Sequence, residues 1–308
     1  MHPRLPRQRR RLLVPFAAIA IIGACSRGRP SPAAVEPGSL PTTFYAGGPE
    51  CTRPPFQVHE YNADFFILRQ AACTNFEKPF LYLVFGRDRA LLLDTGAQRV
   101  DVATPIDTLI RTWLARHGRA ADSIQLVVAH SHAHGDHVAG DSQFVRRSAT
   151  TVVGRDTASV RAFFRMAHWP TDPGAIDLGG RALDVIAIPG HQAASIAIYD
   201  RRTGILLTGD TFYPGRLYVR DTAAFAESID RLTEFTRTHT VTQLLGAHIE
   251  NTATPYRDYP EGTVDQPNEH ALALYPRQLF ELDSAVRTMR GRMTRTALRD
   301  VTIWPVAP

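Results

Sequence analysis

At 308 residues, with 44% apolar and 21% charged residues, the chain can bury a large core, and its composition excludes disorder as its overall state. The net charge of +5 is concentrated at the start, where Arg4, Arg7, Arg9, Arg10 and Arg11 precede the first acidic residue, Glu36. Without those five the chain carries 30 basic residues against 30 acidic ones, a balance that gives no support to a nucleic-acid partner.

Residues 1–24 predict a signal peptide. The arginine cluster precedes "LLVPFAAIAIIGA" (Leu12 to Ala24), an apolar run too short to span a bilayer comfortably. "IGAC" (Ile22 to Cys25) resembles the lipobox of bacterial lipoproteins. That resemblance implies lipidation of Cys25 and a membrane-anchored protein of the cell envelope, facing the periplasm or the exterior. A plain signal peptide or an uncleaved anchor is the alternative. Residues 25–55, rich in Pro, Gly, Ser and Ala, read as a flexible tether, leaving 56–308 as the folded domain. Cys51 and Cys73 are the other cysteines; an exported compartment permits a disulfide between them, with two buried free thiols as the alternative.

The body then alternates. "FFILRQ" and "FLYLVFG" read as strands joined by the loop "AACTNFEKP", and "ALLLD" (Ala90 to Asp94) is a short buried strand. Pro105 to Gly118 shows helical spacing of Ile106, Leu109, Ile110, Trp113 and Leu114. "IQLVVAH" is the next strand, followed by a short helix near Ala139 to Arg147, the strand "TTVVG" and a helix near Thr157 to Met166. "RALDVIAIPGH", "ASIAIYD" and "GILLTGD" read as consecutive strands, Ala224 to Thr238 as an amphipathic helix, and "VTQLLGAH" as a final strand. A polar segment, Ile249 to His270, and a helix from about Glu269 to Met289 close the chain. Strands in two runs, each ending in helices, predict an α+β fold with two sheets face to face and helices outside.

The chemistry is concentrated in "AHSHAHGDHVAG" (Ala129 to Gly140), directly after a buried strand. His132 and His134, with one residue between them, point to the same side of an extended loop, and Gly135 lets the chain turn before Asp136 and His137. One zinc ion takes about four ligands, so this many donors suit two adjacent ions. His191, Asp210, His248 and Asp94 each follow an apolar strand, and strand ends on one edge of a sandwich converge.

His132-Ala133-His134-Gly135-Asp136-His137, followed by His191, Asp210 and His248, resembles the metallo-β-lactamase superfamily from about Phe56 onward. The resemblance implies a four-layer αββα sandwich of two mixed sheets with a dinuclear site on one edge. His132, His134 and His191 would hold one ion and Asp136, His137 and His248 the second. Asp210 would bridge the two, and Asp94 behind them would orient the ligand loop. Two zinc ions are implied, with iron or manganese as alternatives. His59, His117, His168, His239 and His270 stand alone and read as surface or helix-end residues, and Ser195 as a local hydrogen-bonding residue.

The implied function is hydrolysis of a small carbonyl substrate (ester, thioester, lactone or lactam) by metal-activated water, with Asp136 orienting the nucleophile or carrying a proton. Metallo-β-lactamases proper carry Cys or Ser where Asp210 stands. The aspartate form is that of the glyoxalase II, lactonase and phosphodiesterase-like branches. A β-lactamase proper, a phosphodiesterase, a diiron oxidoreductase and a non-catalytic metal-binding lipoprotein are the alternatives.

Overall fold

A computed structural model describes residues 1–2, 35–98 and 100–306; the arginine cluster, the apolar run and Cys25 lie outside the described residues. Strands β1 (Phe56–Asn62), β2 (Phe65–Gln70), β3 (Phe80–Phe85), β4 (Arg89–Leu93), β5 (Gln125–Ala129) and β6 (Thr150–Val152) form one sheet in that order. β1 to β4 pair antiparallel and β4 to β6 parallel. The second sheet comprises β7 (Gly174–Asp177), β8 (Ala182–Ala187), β9 (Ile196–Asp200), β10 (Ile205–Gly209), β12 (Gln243–Gly246) and β13 (Ala273–Leu274), likewise mixed, with β10 and β12 parallel. A small third sheet joins β11 (Arg216–Val219), β15 (Thr302–Pro305) and β14 (Thr296–Ala297).

Alternation along the strands builds the layers. Phe65 and Ile67 of β2 face the second sheet, where they meet Leu183, Val185, Ile198 and Leu207 in one central core. The intervening Phe66 and Leu68 turn outward, onto Ile106, Trp113 and Leu114 of helix α1 (Ala103–Arg116). On the other side Ile186, Ala197, Leu206 and Leu244 meet helices α4 (Thr222–Thr238) and α5 (Pro276–Thr288) through Phe225, Ile229, Leu279 and Leu282. Each fully buried Leu, Ile, Val or Phe side chain among them contributes about 1.5–3 kcal/mol. Two mixed sheets with helices outside make the αββα sandwich that the resemblance implies.

Two short helices, α2 (Gly135–Val138) and α3 (Thr157–Phe163), lie in the connections. The first differs from expectation: the helical turn begins at Gly135, and only a 3₁₀ turn at Asp141–Gln143 follows. The cause is an early tie to the sheet edge, with Thr95 N–H donating to His137 O (2.8 Å) and Ala139 N–H to Gly96 O (3.2 Å). The last helix also starts late. Glu269 is buried beside Arg69, and the helix begins at Pro276, where Gln278 Oε1 accepts from Tyr275 N–H at 2.9 Å.

Part of the expected tether lies on the body. Glu36 N–H donates to Arg202 O (2.7 Å), Ser39 N–H to Tyr61 O (3.0 Å), and buried Phe44 packs edge-on against Phe80 at 5.1 Å. Proline-rich composition concealed Leu40 and Phe44, which join the central core and anchor the strap. Cys51 and Cys73 form a disulfide that ties this strap to the loop after β2.

Candidate metal centre

Parallel pairing places the donors. Leu93 lies beside Ala129 in the β4/β5 ladder, so Asp94 and His130 leave the sheet at the same edge. Gly209 lies beside Gly246 in β10/β12, and Asp210 and His248 emerge together. Glycine precedes two of the donors for steric reasons. Gly209 has φ +50°, and a Cβ there would meet Ser131 Cβ at 2.7 Å. Gly190, before His191, has φ +139°, and a Cβ there would sit 2.5 Å from Phe225 Cα of α4.

Two groups of donors converge, His132, His134 and His191 in one, and Asp136, His137, Asp210 and His248 in the other. His134 Nδ1 lies 3.0 Å from His132 Nε2 and 2.9 Å from His191 Nε2. In the second group His137 Nε2 and His248 Nε2 are 3.3 Å apart, and Asp136 Oδ2 is 3.1 Å from the first and 3.3 Å from the second. Asp210 spans both groups. Its Oδ1 lies 3.4 Å from His137 Nε2 and 3.3 Å from His248 Nε2, while Oδ2 lies 3.7 Å from His132 Nε2 and 3.5 Å from His191 Nε2.

The outer nitrogens of the rings are already engaged. His137 Nδ1 donates to Asp94 Oδ2 (2.9 Å), His191 Nδ1 to Tyr218 O (2.8 Å) and His248 Nδ1 to Glu77 O (2.9 Å). Each bond turns Nε2 inward. In the first group lone pairs face lone pairs, an arrangement that a cation resolves, and the imidazole and carboxylate donors of both groups fit two divalent ions.

Electrostatics separates the groups. Burial and neighbouring histidines hold His132 well below the usual imidazole range and push His134 down to about 4; burial also lowers His191. These rings are neutral and ready to ligate. Burial opposes charge in the second group too, but Asp210 and Asp136 outweigh it and hold His137 and His248 well above the usual range. The same pairing overrides burial at Asp136 and Asp210, which stay ionised far below the normal carboxylate range. Protons on the two rings balance the two carboxylates until a metal takes their place.

All seven donors named from the sequence thus lie in the two groups, with Asp94 behind them accepting from Ser131 N–H (2.7 Å) and Ser131 Oγ–H (2.8 Å) as well as His137. Ser195 departs from its reading: its Oγ is buried without a hydrogen-bond partner. His168 is paired with Asp172 at the surface, and Trp169 packs on the central core. Sequence reasoning missed Glu77 and Tyr218, which act through backbone carbonyls and carry no side-chain signature. It also missed His130, whose Nε2 lies 2.8 Å from Asp141 Oδ1 beside the ligand loop.

A sandwich with a two-group His/Asp centre on one edge has the architecture of a metal-binding αββα protein. The chain belongs to the metallo-β-lactamase superfamily, whose family model matches residues 76–248. It is similar to hydroxyacylglutathione hydrolase of Chromohalobacter salexigens (29% identical over 147 residues, 46% of this chain and 55% of that protein). Similarity extends to the enzyme of that name from Ectopseudomonas mendocina (31% over 146 residues, 46% and 54%). A third relative is acyl-coenzyme A thioesterase MBLAC2 of Bos taurus (29% over 168 residues, 44% and 59%). The chain spans little more than half the length of these curated relatives. Among solved structures, TMB-1 superposes with a TM-score of 0.50 at 12% identity, covering 77% of this chain and 100% of that one, a likeness of fold.

Proposed function

We propose that the chain is a dinuclear zinc hydrolase of a small carbonyl substrate, an ester, thioester or lactone. The observation that carries this reading is Asp210, whose two oxygens are divided between the two donor groups. Imidazole dominates the donors, which favours zinc over iron or manganese. Two ions held here supply a Lewis acid for the carbonyl and a water acidified toward neutrality. The chain's own residues do the rest. Asp210, whose oxygens are divided between the two groups, would hold a pair of ions, while Asp136, with 21% of its side chain exposed, would orient the attacking water, accept its proton and pass it to the leaving group. Water's oxygen bonds to the carbonyl carbon, the bond to the leaving oxygen or sulfur breaks, and no covalent enzyme adduct is needed. The relatives named as a hydroxyacylglutathione hydrolase and an acyl-coenzyme A thioesterase support an acyl substrate.

Metal analysis of the purified protein, followed by thioester, lactone, β-lactam and phosphodiester substrates, tests the reading. About two zinc ions per chain and cleavage of the acyl substrates are expected. Cleavage of phosphodiesters alone, or a preference for β-lactams, overturns the substrate class.

The same reading extends to an exported lipoprotein, anchored through Cys25 and facing the periplasm or cell exterior. It is supported by the arginine cluster, the apolar run and "IGAC", and a Cys51–Cys73 disulfide suits an oxidising compartment. Fatty-acid labelling of the wild type and its absence in Cys25→Ser are expected; an unlabelled wild type overturns the anchor.

A further inference from the structure

The loop 71–79 and the segment 249–270 enclose a cavity of about 80 Å³ beside the metal centre. Glu77 and Tyr218 line it and hold His248 and His191 through their carbonyls, and Glu250 lines it two residues after His248.

The cations on these walls are committed. Arg216 donates from Nη2 to Glu250 Oε1 (2.9 Å), from Nη1 to Asp258 Oδ2 (2.9 Å) and Tyr259 O (2.6 Å), and from Nε to Tyr218 Oη (3.0 Å). Buried Lys78 donates from Nζ to the carbonyls of Phe76 (2.5 Å) and Thr263 (2.8 Å), closing the loop onto the covering segment. An anion would find few donors here.

Acceptors, by contrast, are in surplus. Among the described residues, Glu77 and Glu261 on the cavity wall have no ion-pair partner. The Gln266 side chain, 5% exposed, lines the same cavity with an Oε1 that is buried and has no donor. The half-buried, unpaired carboxylate of Glu77 and the orphaned amide oxygen of Gln266, with the exposed carboxylate of Glu261 at the rim, call for N–H donors carrying positive charge. The volume suits a group of a few heavy atoms, and the carboxylates of Glu77, Glu250 and Glu261 exceed the cations Arg216 and Lys78 by a single negative charge, which suits a monovalent cation rather than a divalent one.

We propose that this cavity is a specificity pocket for a primary ammonium group on the acyl part of the substrate, so that the enzyme selects amino-acyl over carboxy-acyl compounds. The inference rests on the hydrolase reading for its substrate, but binding of the acyl acid tests it separately.

The experiment compares matched thioesters on the zinc-loaded full chain: γ-aminobutanoyl, pentanoyl and glutaryl, which end in ammonium, methyl and carboxylate. Calorimetric titration with the three free acids accompanies it. Both kcat/KM and affinity should favour the ammonium compound over the methyl one on the order of tenfold, with the carboxylate last. Glu77→Gln and Gln266→Leu should each shrink the ratio of ammonium to methyl. Equal use of the three thioesters, preference for glutaryl, or a ratio unmoved in both variants overturns the pocket. If no thioester is cleaved but γ-aminobutyrate still binds best, the pocket stands and the hydrolase reading falls. Calcium bound in the cavity, displaced by neither acid nor amine, overturns the ammonium assignment.

Discussion

The carboxylate of Asp94 accepts the Nδ1 hydrogen of His137 at 2.9 Å and so decides which nitrogen of that ring faces the second donor group. Asp94 holds this position at φ +69°, a left-handed conformation that a non-glycine residue adopts only when its surroundings require it. Here they do, because the same carboxylate also accepts from Ser131 N–H and Oγ–H at the head of the ligand loop.

Asp94→Ala should therefore weaken metal binding without removing a ligand. A buried imidazole N–H and a buried backbone N–H lose their acceptor, each at a cost of about 1–3 kcal/mol. Zinc affinity of the second group should fall about 10- to 100-fold, measured by competition with a chromogenic chelator. Affinity equal to wild type would show that the ring is oriented by packing alone.

Metal binding should release protons from one group and not the other. His132, His134 and His191 are already neutral at pH 7, His134 because its value is pushed down to about 4, whereas Asp210 and Asp136 hold protons on His137 and His248. The first group should load with no proton release and the second with up to roughly two protons. Affinity of the second group should rise with pH, because protons compete there. Calorimetry at pH 7 in buffers of different ionisation enthalpy counts them; equal release from both groups would contradict this electrostatic division.

Acid should act on the metal-free fold through His134. Its folded value lies below the unfolded one of about 6.5, so the unfolded chain binds more protons between the two. The stability contributed by the neutral ring is present above pH 6.5 and lost as pH falls toward 4. His134→Gln should flatten that part of the pH–stability curve in denaturant titrations. An unchanged acid limb would assign it to other groups.

The sandwich was legible because its strands are long apolar runs with alternating faces and because each donor follows one of them. Asp94, His191, Asp210 and His248 needed only the rule that strand ends meet at one edge. What escaped were elements lacking such a signal. β11, β14 and β15 have two to four residues each, and β7 shows only brief alternation, so tertiary pairing defines them. Yet β11 carries Tyr218, whose carbonyl fixes His191. The strap from Glu36 to Phe44 was hidden by its prolines, although Phe44 alone supplies a fully buried aromatic ring.

The disulfide should matter to both stability and the site. Cys51 and Cys73 are 22 residues apart, and Cys73 lies in the loop whose Glu77 carbonyl holds His248. Replacing both with serine should cost about 2–4 kcal/mol in denaturant unfolding and loosen the second donor group, raising zinc loss during dialysis. Full stability in the double variant would show that Phe44 and its neighbours hold the strap alone.

Gly190 offers the sharpest test of how the fold places a donor. Its carbonyl accepts from the N–H groups of Arg220 and Asp221 (2.9 Å each), and the Asp221 side chain caps α4 by accepting from Ala224 N–H at 3.0 Å. A methyl group at Gly190 would meet the backbone of Phe225 at 2.5 Å, and φ +139° is itself unfavourable for alanine. Backbone cannot swing aside as a side chain can, so either the start of α4 shifts or His191 does. Gly190→Ala should lose about 3 kcal/mol in denaturant unfolding and lower zinc occupancy of the first group, whose other donors, His132 and His134, are untouched. Gly135→Ala, also beside the donors but with nothing within 4 Å of the added carbon, should stay within about 0.5 kcal/mol of wild type. Equal stability of the two variants would mean that α4 accommodates the methyl group and that the glycine before His191 is not what sets its place.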